Sequence, residues 1–177
     1  MSKTEDLLRK WIETAPQRAA ETARLLREEG MEDDEIEAEL KIKVGKPEAP
    51  LQDIPTFDPK VTRPLSPMLQ DRFKLAGPIN DAGEKWLSLK DMRKAVASGK
   101  VLKHFKSHKE HWENSAPALF APSQLALFAV EQDAEENQTY LAWPSDQIIE
   151  PKIYRYVDRT EHVFEDLNAF LEWACSG

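Results

Sequence analysis

Three imidazoles stand at i, i+4 and i+7 in His104, His108 and His111. If residues 100–113 are helical, that spacing puts all three on one face, where they could hold zinc with one position open. Lys100, Lys103, Lys106 and Lys109 surround them and disfavour a divalent cation. The segment also lacks the Glu of a His-Glu-x-x-His hydrolase site. The balance favours a solvated helix with Val101, Leu102, Phe105 and Trp112 turned inward, and no metal. Other reactive types are as sparse. The one cysteine, Cys175, lies third from the end, which excludes an internal disulfide and a cysteine-based zinc site. No Gly-x-Ser-x-Gly elbow occurs, and the six glycines build no phosphate loop of either common spacing. Carboxylates are abundant but spread along hydrophilic faces. Neither a catalytic residue nor a cofactor is expected, so the chain reads as a non-enzymatic protein.

What remains is charge. The 177 residues carry 24 Lys+Arg against 32 Asp+Glu, a formal net charge of −8. Residues 90–112 hold seven basic and two acidic side chains, whereas residues 113–177 hold three and twelve. The C-terminal third is a strong anion that repels nucleic acid and attracts basic proteins. Five of its acids, Glu131, Asp133, Glu135, Glu136 and Asp146, fall on or beside strand connections. Loops on a rigid sheet often carry recognition, so these five are the expected partner contacts. The competing reading makes them solubilising turn residues. No run of about 18 apolar residues could span a membrane. The polar start, Met1 to Asp6, lacks the apolar core of a secretory signal, which points to a cytoplasmic protein.

These residues must be positioned by elements that the pattern also marks. Ser2-Lys3-Thr4-Glu5 has capping-box spacing before an apolar stripe of Leu7, Leu8, Trp11 and Ile12. Pro16 breaks this helix; a second runs to Glu29 with Gly30 as its stop, and a third covers Glu32 to Val44. Residues 1–44 therefore read as a helical appendage. Six of the twelve prolines crowd into residues 47–67. Segment 45–63 must be extended, and the interleaved Leu51, Ile54, Phe57 and Val61 make it a docked strap rather than a free linker. Residues 64–177 form the main domain. A short helix follows Ser66-Pro67; Trp86-Leu87 leads into a helix capped by Ser88 and ending near Ser98. Strands are expected at Leu125 to Glu131, Thr139 to Trp143 and Lys152 to Val157, the last with one wet face. Gln132 to Gln138 is a polar hairpin connection. Val163, Phe164, Leu167, Phe170, Leu171 and Trp173 close the chain as an amphipathic helix with Phe170 and Trp173 in the core. The order implies an α+β fold, an antiparallel or mixed sheet flanked by helices.

From Trp86 onward the order of features resembles the SUKH superfamily, to which many bacterial immunity proteins belong. The matching stretches are Trp86 to Met92, Ala118 to Ala121, Leu125 to Ala129, Tyr140 to Trp143, Glu150 to Tyr156 and Phe164 to Leu171. They cover about half the chain and mark strands and the closing helix. The family's usual opening has only a distant counterpart in Pro64 to Leu75, and residues 1–46 lie outside the pattern. The resemblance implies a protein that neutralises a cognate toxin, often a nuclease, by direct binding. A surplus of acids suits the covering of a basic active site. The alternative is an adaptor in a larger assembly, with the N-terminal helices as its docking arm.

Overall fold

A computed structural model describes residues 1–131, 136–157 and 159–176. The fold is α+β. Helices α1 (Lys3–Glu13), α2 (Ala15–Glu28) and α3 (Asp33–Leu40) come first. Strands β1 (Lys43–Val44), β2 (Ile54–Pro55) and β3 (Thr62–Arg63) are short and precede α4 (Pro67–Leu75). A hairpin, β4 (Ile79–Asp81) and β5 (Glu84–Trp86), leads to α5 (Leu89–Ala95), α6 (Gly99–His111) and α7 (Ala116–Leu119). The chain ends with β6 (Leu125–Glu131), β7 (Gln138–Ala142), β8 (Lys152–Val157), β9 (Thr160–Phe164) and α8 (Leu167–Ala174). Seven strands form one antiparallel sheet in the order β1-β4-β5-β6-β7-β8-β9, while β2 and β3 pair apart.

Local signals set most boundaries. Ser2 and Glu5 close a full capping box on α1. Ser66, Ser88 and Asp166 each accept a backbone N–H from the first turn of α4, α5 and α8. Gly30, at φ +92°, takes the left-handed conformation that stops α2. Ala82 and Gly83 both have positive φ, so β4 and β5 meet in a two-residue turn of the primed type.

The sheet is covered on both faces. On one, Trp86 stacks on Trp11 of α1 at 4.2 Å and meets Phe128 and Phe170 at 5.3 and 5.4 Å. On the other, Phe57 of the strap stacks on Phe105 of α6 at 4.1 Å, and both lie against Tyr140. Double coverage explains why β6 and β7 are buried almost throughout instead of alternating. Strand β8 has no wet face either: Ile153 is buried on one side, Tyr154 and Tyr156 on the other. Two residues of β6 oppose one of β7 between Leu127 and Ala129, which lets Phe128 reach the Trp86–Phe170 cluster.

The expected strap is docked. Ile54 and Phe57 are buried in the core, and Glu48 accepts the Leu89 N–H at the start of α5. The appendage expected over residues 1–44 is not set apart, because Leu8 and Trp11 belong to the same core as the sheet. Thr4 donates to Asn168 at 2.9 Å and Lys3 pairs with Glu172, fixing α1 along α8. Other expectations need correction. The third helix ends at Leu40, and Lys43–Val44 instead pairs with Ile79 and Asn80. Val163 and Phe164 lie in β9, paired with Tyr154 and Ile153, because the closing helix can begin only at its Asp166 cap. Phe170 is 2% exposed as expected, but Trp173 is 42% exposed and lies outside the core. Leu102 and Trp112 of the basic segment are exposed too.

Candidate functional site

The histidine face does not assemble. Helix α6 turns the stripe Val101, Phe105 and His108 into the protein. His108 Nδ1 lies 2.8 Å from the Tyr140 hydroxyl, its ring packs on Tyr156, and burial pushes its pKa down to about 4. His111 faces solvent with Nδ1 2.9 Å from the Ser107 carbonyl. His108 and His111 thus point apart, and no group of three His, Cys, Asp or Glu side chains that could hold a metal ion is found among the described residues. The inward spacing 101, 105, 108 was itself a sequence signal that one histidine belongs to the core.

Of the five expected contact acids, the three that are described do not share one surface. Glu131 ends β6 opposite Glu84, and Glu136 is exposed nearby. Asp146 sits at the opposite end of β7, where it pairs with Arg63 of β3 at 2.7 Å. There it pins the strap's hairpin, and Arg63 lies over the Trp143 ring. Asp133 and Glu135 lie outside the described residues.

A different acidic surface is assembled by α2 and α3. Pro16 redirects the chain after α1, and α2 then buries only Ala15. Of α3, only Ile36 and Leu40 are buried. Isolated helices of 14 and 8 residues are marginal in water, so these two depend on packing against each other. That packing leaves a groove of about 610 Å³ lined by Ala19, Ala20, Ala23, Ile36, Leu40 and Ile42. Leu25 on α2 and Met31 in the connection to α3 are exposed as well.

The groove itself is lined by both signs, Asp33 and Glu37 with Arg27 and Lys41, whereas the chain from the end of α2 through α3 is acidic. Glu28, Glu29, Glu32, Asp33, Asp34, Glu35, Glu37 and Glu39 are all exposed, with no basic residue between Arg27 and Lys41. Among the ion pairs of the described residues, Glu28 pairs with Arg24 and Asp33 with Arg27. The other six carboxylates have no cationic partner among them. Asp33, Asp34 and Glu35 occupy the first turn of α3, where the helix dipole favours negative charge, so part of this cluster serves the helix itself. The dipole does not account for Glu28, Glu29, Glu37 or Glu39, which lie outside that turn. Alanines at 19, 20 and 23 with Ile36 and Leu40 were legible as a helix-pair seam. Its open groove was not, since that depends on how far the two axes stand apart.

Comparison with protein-family models, with curated proteins and with solved structures yields no match.

Proposed function

We propose that this chain is a non-enzymatic binding protein whose α2–α3 arm captures a basic helix of a protein partner. The immunity function implied by the SUKH resemblance makes that partner a toxin. The supporting observation is a groove lined by Ala19, Ala20, Ala23, Ile36 and Leu40 beside an exposed acidic run, on helices that add little to the core. Apolar grooves between helices accept amphipathic helices, and complementary charge speeds their encounter. The adaptor reading uses the same arm, and only the partner's identity separates the two.

Cross-linking in the producing cells followed by mass spectrometry supplies the partner, which is then purified. Reversing Glu35 and Glu37 to Lys should slow its association about tenfold and flatten the salt dependence, with folding intact. Ala20→Trp, which fills the groove, should raise the dissociation rate. If both variants match the parent, the arm is not the contact. If Glu136→Lys alone slows binding, the contact lies at the β6–β7 end. Growth arrest by the partner, relieved by this chain, identifies a toxin; normal growth moves the reading to an adaptor.

A further inference from the structure

A second concavity, of about 480 Å³, lies where α1 and α8 leave the sheet uncovered beside the β4–β5 turn. One wall is aromatic. Trp11, Trp86, Phe170 and Trp173 follow one another at centroid separations of 4.2, 5.4 and 6.1 Å. The floor is a row of four charges. Arg18 pairs with Asp81 at 2.9 Å, Asp81 stands opposite Glu84 across the hairpin, and Glu84 pairs with Arg155. The row therefore reads plus, minus, minus, plus. All four side chains are only 14–23% exposed. Arg18 lies over the Trp11 ring and Arg155 over that of Trp173, so each end of the wall carries a guanidinium.

Four charges in one half-buried cleft cost more desolvation than a purely structural seam requires. Glu84 is further held by the Trp86 indole N–H, which donates to it at 2.9 Å. Arg155 keeps an unspent donor: its Nε is buried and has no hydrogen-bond acceptor among the described residues. The site thus offers a guanidinium at each end, two fixed carboxylates in the middle and an apolar wall, with zero net charge. A lone anion or a lone cation gains little from a neutral row. A ligand carrying both charges a few ångströms apart gains at both ends.

We propose that this cleft binds a free α-amino acid with an aromatic or large apolar side chain. The ammonium donates to Asp81 and Glu84. The carboxylate accepts from the Arg155 guanidinium. The side chain packs against Phe170 and Trp173, whose 42% exposure leaves ring surface to cover. This proposal does not rest on the α2–α3 reading, although Arg18 of α2 supplies one of the four charges.

Tryptophan fluorescence and calorimetry on the full chain test it, using L-phenylalanine, 2-phenylethylamine, 3-phenylpropionate and L-alanine as probes. L-phenylalanine should saturate, with each of the other three at least about tenfold weaker, since each lacks one charge or the ring. Arg155→Met should weaken L-phenylalanine and 3-phenylpropionate but not 2-phenylethylamine. Trp173→Leu, a change at a half-exposed position, keeps the test valid if Arg155→Met fails to fold. It should weaken L-phenylalanine several-fold and leave L-alanine unchanged. The proposal is overturned if either singly charged probe binds as well as L-phenylalanine. It is equally overturned if no probe saturates by about 10 mM, the range of the weakest specific sites.

Discussion

Phe170 and Trp173 sit three residues apart on α8, yet one is core and the other half-exposed. Phe170 lies over Trp86 and Phe128, whereas Trp173 overhangs the sheet edge beside Phe164 and His162. Phe170→Ala should therefore cost about 3–5 kcal/mol, the range for large buried aromatics, whereas Trp173→Ala should cost about 1 kcal/mol. Urea midpoints of the two variants measure the difference, and equal losses would place both rings in the core. Glu161 and His108 carry opposite pH dependences. Burial raises the Glu161 carboxyl to about 7, although the Ala116 N–H bonded to it favours the charged form. Between its ordinary value of 4.5 and about 7, the folded chain keeps a proton that the unfolded chain has released, so stability falls as pH rises. His108, lowered from 6.5 to about 4, refuses a proton that the unfolded chain accepts, so its contribution falls as pH drops through that window. Glu161→Gln removes the first effect alone. Relative to the parent it should gain about 1 kcal/mol at pH 8, after allowance for partial solvation, and nothing at pH 4. No gain at pH 8 would mean that the carboxylate is well hydrated.

At the scale of elements, the strap decides more than its irregular backbone suggests. It covers the sheet face with Phe57, places Ile54 in the core and supplies Glu48 to the start of α5. The Phe73 carbonyl accepts the Glu48 N–H at 2.9 Å, tying the strap to α4 as well. Ile54→Ala should cost about 2–4 kcal/mol, as in a packed helix, and thermal unfolding measures it. A loss below about 0.5 kcal/mol would reduce the strap to a surface loop. Elements are also where local reading stopped short. The capping residues and the strands β6 and β8 were legible, since each signal lies within a few residues. The pairing of β1 and β9 was not: Lys43–Val44 is too short to carry a pattern, Val163 and Phe164 of β9 run on into the apolar positions of the closing helix, and only a neighbouring edge makes either a strand. The β4–β5 turn had a usable signal in its Asp-Ala-Gly-Glu run, bounded by Ile79 and Trp86.

At the scale of the molecule, α1, the strap, the sheet and α8 share one apolar cluster. Arg72 is enclosed within it, its guanidinium bonded to the Ala76 carbonyl and packed against Phe73 and Phe128. Burial lowers its pKa to about 9. A shared core predicts one cooperative transition. Far-UV circular dichroism and tryptophan fluorescence should give coincident unfolding curves. An early fluorescence change with helicity retained would mean that α1, which carries Trp11, detaches first. The arm α2–α3 stands outside this cluster, its buried Ala15, Ile36 and Leu40 included, so its substitutions should affect partner binding more than stability.

The sequence by itself determined the α+β class, the helix starts at Ser2, Ser66 and Ser88, the stop at Gly30 and the extended course of residues 45–63. Each follows from dihedral preference or hydrogen bonding within one turn of chain. Tertiary structure alone decided that Trp173 lies outside the core, that Asp146 holds Arg63 rather than joining Glu131, and that α1 lies in the core. It also decided the cleft, which gathers residues 11, 18, 81, 84, 155 and 173 from three helices and three strands. Such meetings depend on strand register and on how side-chain volumes fill the space between layers. Neither quantity is carried by any single stretch of the chain.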